Sequence, residues 1–187
     1  MAKCDCCGCV IAEDYGTSEV TGEGSSTDPY VVSLVDETWQ RPAARVRRTT
    51  DQLISHNIFV PISFDTEVFD TGGFWVIGSP TLFTITEAGM YAFGGCVRWG
   101  VNAAGTREVG FRKNGSTILL VNDQPVDATN GATVSPWQAA SYQAPLAPGE
   151  TLELVVRQEA SGGAALNTFT EADDSQVFWI VYLGRVI

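Results

Sequence analysis

From Leu53 onward, apolar residues fall at every second position in short runs, and turn residues separate the runs. A period of two sends alternate side chains to opposite faces of an extended chain, so the pattern predicts β-strands covered on one side by a core. Ile58, Val60, Ile62 and Phe64 share one face of the first run. Asp70-Thr71-Gly72-Gly73 predicts a turn, followed by aromatic and β-branched residues at 74–77. Residues 82–86 predict another strand, closed by Glu87-Ala88-Gly89. In the run 90–99, Tyr91, Phe93, Cys96 and Trp99 break strict alternation, which predicts a bulge at Gly94-Gly95. Residues 109–113 lead into Asn114-Gly115, a strong hairpin signal, and 117–121 form the returning strand. Strands are also expected at 137–142, at 151–157 with Leu152, Leu154 and Val156 facing in, and at 176–183. Eight to ten short strands with regular turns predict an antiparallel sandwich or barrel. No helix is expected in this body.

The first third of the chain reads differently. Residues 21–30 are rich in Gly, Ser and Thr, and 30–35 form a β-branched strand candidate. Pro42 and four closely spaced arginines predict a linker, in which 43–48 has room for a helical turn or two. The expected division is an N-terminal arm at 1–35, a linker with its Arg patch at 36–55 and a body at 56–187. Charge follows this division. Residues 1–40 hold eight acids and one base, Lys3, whereas 41–48 hold Arg41, Arg45, Arg47 and Arg48 without an acid. The patch is expected to neutralise the arm or a neighbouring chain.

Composition narrows the functional classes. With 44% hydrophobic and 18% charged residues the chain can build a core. It has no apolar run of membrane-spanning length, so no membrane insertion is expected. No apolar stretch follows Lys3, so no signal peptide is expected. A net charge of −11 argues against nucleic acid. The single histidine, His56, restricts any histidine relay to one residue and is expected on the surface. Gly72-Gly73 and Gly162-Gly163 lack the lysine and strand–helix context of a phosphate loop. Paired carboxylates are available at Asp65/Glu67, Asp123/Asp127 and Asp173/Asp174, but acids on loops are expected in an acidic chain. Asp173 and Asp174 are also calcium candidates, without a recognisable calcium signature. No catalytic constellation emerges, and the expectation is that the protein is not an enzyme.

Cys4, Cys6, Cys7 and Cys9 lie within six residues, with C-x-x-C spacing for Cys4/Cys7 and for Cys6/Cys9. Such spacing suits zinc. One ion held by all four thiols of so short a loop is sterically awkward, and a site shared between chains is easier. Interchain or intrachain disulfides and free thiols are the other two readings. All three readings share one expected function, fastening the arm to its copies or to a partner. Cys96 stands apart in an apolar run and is expected to be a buried small hydrophobe.

Four elements, in order, carry a family resemblance. Phe83-Thr84-Ile85-Thr86-Glu87-Ala88-Gly89-Met90-Tyr91-Ala92-Phe93 resembles the strand–turn–strand signature of C1q-like domains. Phe111-Arg112-Lys113-Asn114-Gly115 resembles their K-N-G hairpin, and Leu146–Leu154 their L-x-x-G-D/E element. Residues 177–183 sit where that family has its buried last strand. The resemblance to the C1q and tumour-necrosis-factor (TNF) group implies an antiparallel jelly-roll sandwich at 56–187 and assembly as a homotrimer through aromatic faces. Trp75, Trp99, Trp137 and Trp179 are the candidate interface aromatics. Gly24–Val32, with Asp28, Pro29 and Tyr30, is similar to an element of bacteriophage virion proteins, and Arg45–Ile54 to the segment before C1q-like heads of actinobacteriophages. These likenesses imply a virion structural protein on the tail tip, a fibre or the capsid. Its arm would anchor it to other virion proteins and its head would contact the host surface; a carbohydrate-binding receptor module is the alternative, and a capsule or cell-wall depolymerase a more distant one.

Overall fold

The computed structural model describes residues 18–21, 24–25, 27, 31–34, 41–126, 136–170 and 176–185. The chain divides into two units, Met1–Gln40 and Arg41–Ile187. In the first unit β1 (Ser18–Thr21) pairs antiparallel with β2 (Val31–Leu34). The β2 segment matches the expected strand, whereas β1 has no counterpart in the sequence reading.

The second unit is a two-sheet antiparallel sandwich. Its strands are β3 (Ala43–Arg47), β4 (Leu53–Ile54), β5 (Val60–Pro61), β6 (Thr66–Asp70), β7 (Phe83–Thr84), β8 (Gly89–Arg98) and β9 (Thr106–Lys113). They continue with β10 (Thr117–Pro125), β11 (Trp137–Leu146), β12 (Thr151–Gln158), β13 (Leu166–Asn167) and β14 (Gln176–Gly184). One sheet runs β11-β8-β14-β3-β6 and the other β10-β9-β12-β5, with β7 also on β12. The short β4 and β13 pair with each other.

The two sheets meet through rings. Phe178 of β14 stacks on Phe83 at 4.0 Å between centroids and lies 6.2 Å from Phe111 and 6.4 Å from Phe64. Phe93 meets Phe111 edge-on at 4.9 Å. All five rings are almost wholly excluded from water. Edge-to-face and offset contacts of this kind add to the large apolar area each ring buries.

Three expectations are corrected by this arrangement. Residues 43–47 are not a linker or a helical turn. They form a strand between β14 and β6, with Ala44 and Val46 fully buried and Arg45 and Arg47 on the outward side. The alternation Ala44/Val46 against Arg45/Arg47 is a strand period, and burial of the small apolar pair outweighs the charge of the arginines. The compact unit therefore begins at residue 41 rather than 56.

The expected bulge at Gly94-Gly95 is also absent. Strand β8 pairs without interruption from Gly89 to Arg98 with β11, and Tyr91, Phe93, Gly95, Val97 and Trp99 all lie on the inner side. The glycines answer close approach instead. A Cβ on Gly95 would lie 2.7 Å from a Leu154 methyl of the facing sheet, and one on Gly94 only 2.5 Å from the Trp179 indole. Cys96 consequently points outward and is half-buried, not a core residue. Third, the run at 58–64 yields only the two-residue β5, with Ile62 and Phe64 buried but Ile58 exposed.

The hairpin at Asn114-Gly115 forms as its sequence demands. Both residues have positive φ, 51° and 69°, the conformation that Asn and Gly tolerate best. Leu152, Leu154 and Val156 of β12 are buried as expected.

Phe178→Ala removes the ring shared by Phe64, Phe83 and Phe111. The expected loss is about 3–5 kcal/mol, read as a fall of roughly 10 °C in the thermal midpoint by circular dichroism.

Candidate interaction surface

The sandwich has two outward faces, and their chemistry differs. On the β9–β12 face, opposed residues form ion pairs. Arg112 Nε donates to Glu153 Oε2 at 2.6 Å across the Arg112–Glu153 register pair. Two rungs along, Arg157 Nε donates to Glu108 at 2.6 Å, and the Arg157 guanidinium lies 5.4 Å from the Phe59 ring. Lys113 reaches Glu150 at 2.7 Å. Between the two rungs Val155 is fully buried although it points away from the core. Crossed charges of opposite sign, with their aliphatic stems laid over a valine, leave little apolar surface exposed.

The outward face of the β11-β8-β14-β3-β6 sheet is apolar in its middle. One row across it reads Phe69, Arg45, Trp179, Gly94, Ser141, and the next Thr66, Arg47, Val177, Cys96, Ala139. Trp179 and Phe69 remain 37% and 44% exposed. The indole of Trp179 lies over Gly94, which is why that position has no side chain. The indole is one wall of a shallow hollow of about 280 Å³, which Gly95, Cys96, Ala139, Ala140, Ser141 and Val177 complete. At the end of the same face Arg98 sits between two rings, 5.6 Å from Trp137 and 4.9 Å from Phe169. The outward positions of these strands carry Arg45, Arg47 and Arg98.

The four candidate tryptophans separate into two kinds. Trp75 and Trp99 are 5% and 0% exposed within the single chain. Trp75 Nε1 donates to the Pro80 carbonyl at 3.2 Å, and Trp99 Nε1 to Gln138 Oε1 at 3.1 Å. Their rings and their polar atoms are both engaged inside the sandwich, so they offer nothing at the surface. Trp137, 49% exposed, and Trp179 are on the outward face. The cysteines Cys4, Cys6, Cys7 and Cys9 and the anchor residues Asp28, Pro29 and Tyr30 lie outside the described residues, as do Asp127, Asp173 and Asp174.

No catalytic grouping assembles among the described residues. His56 is exposed and makes an isolated bridge to Gln158. Asp65 is occupied as a clasp: it accepts the Thr49 backbone N–H at 3.0 Å and the hydroxyls of Thr49 and Thr66. Glu67 and Asp123 are exposed on strands β6 and β10. No three His, Cys, Asp or Glu side chains among the described residues converge as metal ligands. A cleft of about 610 Å³ at the turns around Glu87, Lys113, Pro145 and Glu150 has its charges paired, Lys113 with Glu150 and Arg185 with Glu87 at 3.8 Å. No helix among the described residues is long and apolar enough to cross a membrane.

Several buried polar residues escaped the sequence reading. Gln138, 2% exposed, donates its amide to the Arg107 and Asn122 carbonyls and accepts from Trp99, tying β11 to the β9–β10 edge of the other sheet. Gln158, fully buried, donates to the Ile54 and Ala164 carbonyls and accepts from Ala160 N–H. Arg107, 1% exposed, donates to the carbonyls of Thr106 and Ala104 and to Asn102, and burial pushes its pKa down. Their signal was a polar residue at a core position of a strand, which sequence alone does not separate from a solvent-facing one.

No family model matches the chain, and no curated protein sequence matches it. Solved structures do match in fold. The globular domain of a zebrafish complement C1qA protein aligns with a TM-score of 0.55 at 16% identity, over 78% of this chain and all of that one. The Eiger TNF of S. frugiperda aligns at 0.55 and 17% identity, over 79% of this chain and 96% of that one. Murine APRIL aligns at 0.54 and 9% identity, over 76% and 99%. The body is thus an all-β antiparallel jelly roll of the C1q/TNF type, as the sequence motifs implied.

Two carboxylates give the fold an acid limit. Burial works to raise the Asp65 pKa, but the Thr49 N–H, the Thr66 and Thr49 hydroxyls and the Arg48 charge together hold it below its ordinary value. The Lys113 ammonium and the Ala147 N–H lower that of Glu150. A carboxyl depressed in the folded state stabilises it above the unfolded pKa and loses that contribution as pH falls through the folded pKa. Thermal stability is therefore expected to hold near neutrality and to decline from the ordinary carboxylate range downward. Asp65→Asn should be less stable than the native chain at neutral pH and should flatten part of the acid decline, measured by melting at a series of pH values.

Proposed function

We propose that this protein is a non-enzymatic structural and binding component that assembles as a homotrimer through the outward face of the β11-β8-β14-β3-β6 sheet. The observation carrying this reading is the contrast between the two faces. One is covered by crossed ion pairs, and the other presents Trp179, Phe69 and a tract of Gly, Ala, Ser and Cys side chains to water. A contiguous apolar surface on a folded domain marks a place where something else binds, and C1q/TNF-type domains typically pair such faces around a three-fold axis.

The finer reading is a bacteriophage virion protein, at the tail or on the capsid. Its support is the sequence likeness of Gly24–Val32 and Arg45–Ile54 to virion proteins, together with the acidic, cysteine-clustered arm. In this reading the arm joins the trimer to other virion proteins, and Cys4, Cys6, Cys7 and Cys9 fasten it, with zinc shared between chains as the favoured chemistry. Thiolates of three chains brought together would form such a site readily, and assembly in a reducing cytoplasm favours metal over disulfide.

The Trp137–Arg98–Phe169 stack favours a second reading, a head that recognises a host-surface saccharide. Two partly exposed rings set beside one another offer flat apolar faces, which suit a sugar ring.

Light scattering on the full-length chain tests the first reading. A mass of three chains is expected, and it should persist at the head when a chelator and a reductant are added. Zinc content by elemental analysis should fall with chelation and in a variant with all four arm cysteines changed to Ser. A one-chain mass at all concentrations contradicts the trimer, and a metal-free native chain contradicts the zinc staple. Saturable binding on a glycan array, lost in Trp137→Ala, would favour the saccharide reading.

A further inference from the structure

We infer that Asn114-Gly115 is a self-modification site under conformational control: while the turn is clasped to β12 the Asn114 amide is kept from the Gly115 nitrogen, and when the clasp opens the pair cyclises and loses ammonia. The reaction class is spontaneous deamidation, with water as its co-reactant.

The sequence supplies the chemistry. The Gly115 backbone nitrogen follows Asn114 at the spacing that closes a succinimide ring on the Asn114 side-chain carbonyl carbon, and glycine has no side chain to hinder the approach. In the step, the bond from the Gly115 nitrogen to Asn114 Cγ forms and the bond from Cγ to Nδ2 breaks. The Gly115 amide proton leaves with the side-chain amine as ammonia. Water then opens the ring. Hydrolysis at the side-chain carbonyl leaves aspartate, and hydrolysis at the main-chain carbonyl leaves isoaspartate. Nothing is oxidised or reduced. Asn114, Gly115 and Ser116 are exposed, so water reaches the ring.

The fold withholds the geometry. Cyclisation needs the nitrogen over the plane of the side-chain amide at near-attack distance. Asn114 Oδ1 instead accepts the Thr151 N–H at 2.9 Å, while the Asn114 N–H donates to the Thr151 carbonyl at 2.9 Å. Main chain and side chain of one residue are thus held by one residue of β12. Turning the amide toward Gly115 breaks the first bond. Turning the backbone away from its positive φ at both residues strains the second. The residue before Thr151 reinforces the clasp: Glu150 accepts from Lys113 Nζ at 2.7 Å and from the Ala147 N–H at 2.9 Å. The Lys113 ammonium and the Ala147 N–H, with a lesser part from the Asn114 amide, hold its carboxyl below the ordinary value, so it is charged at neutral pH. The rate in the folded protein therefore follows the fraction of molecules whose clasp is open.

The product does not restore the clasp. Aspartate at position 114 sets a second negative charge near Glu150 in place of an amide, and like charges on neighbouring strands are destabilising. Isoaspartate lengthens the main chain of the turn, on whose original length the Lys113–Thr117 pairing is built. A modified turn opens more readily than a native one, so conversion leaves a lasting record that this end of the sandwich has opened.

Peptide mass spectrometry on the full chain, incubated at neutral pH folded and in urea, follows the replacement of amide nitrogen by oxygen at Asn114. Circular dichroism checks folding, and Asn130-Gly131, the other Asn-Gly pair of the chain, is the reference for the chemistry in urea. The two pairs should react at similar rates in urea, and Asn114 should react at least about tenfold more slowly in the folded chain. Glu150→Ala should raise the folded-state rate at Asn114 roughly three- to tenfold; Lys113→Met reports on the same clasp if Glu150→Ala fails to fold. Asn114→Asp, the hydrolysis product made directly, should melt below the native chain. No conversion at Asn114 in urea overturns the site, and equal rates folded and in urea overturn its protection. A native rate in the folded clasp variant overturns the clasp as the cause, and native melting of Asn114→Asp overturns the loosening.

Discussion

The stacking of Phe178 against Phe83 is the contact on which the rest of the sandwich depends. Phe178 sits on the strand at the centre of one sheet, and its ring reaches Phe83, Phe111 and Phe64 across the interior. With the rings filling that space, the sheets can approach only where the side chains opposite are small. Gly95 against Leu154 is the consequence on the inner side of β8. The same strand then carries Gly94 on its outer side, and Trp179 follows Phe178 directly on β14. Alternation therefore couples the interior to the surface: burying Phe178 inward obliges residue 179 to point out, onto the glycine opposite it.

That coupling gives the two faces different roles. The β9–β12 face uses Arg112–Glu153 and Arg157–Glu108 to satisfy charges within the chain and to cover Val155. Glu108 and Glu153 are themselves buried, so each pair satisfies a carboxylate held away from water, and the stems remove apolar surface from view. The opposite face leaves an indole, a phenyl ring and a hollow uncovered. Association of three copies, as proposed above, would hide these rings from water. The acid-sensitive contacts of Asp65 and Glu150 are made within the single chain.

Much of the fold was legible because period-two patterning survives wherever one side of a strand is covered. The Asn114-Gly115 hairpin, β12 and β14 follow directly from it. The jelly-roll class followed from four motifs whose residues occupy turns and strand ends. The misplacements have physical causes. Residues 43–47 read as a linker because four arginines within 41–48 outweighed an alternation carried only by Ala44 and Val46. A pair of glycines read as a bulge because sequence does not show that Trp179 and Leu154 press on them from opposite sides. Trp75 and Trp99 were indistinguishable from Trp137 and Trp179 as residue types; only the folded packing, with their indole N–H groups bonded inside, assigns the first two to the core. The hollow was not legible at all, because it is made from three strands, β8, β11 and β14, brought together by pairing.

The central claim is that the outward face around Trp179 is buried between copies while the ion-paired face stays in water. Hydroxyl-radical footprinting of the intact native protein compares the two faces in one experiment. The account predicts strong protection of Trp179 and Cys96 relative to the same side chains in denatured protein, with Phe59, on the ion-paired side, still open to modification. Trp179 and Cys96 labelled as fully as their exposure in the single chain allows would contradict it.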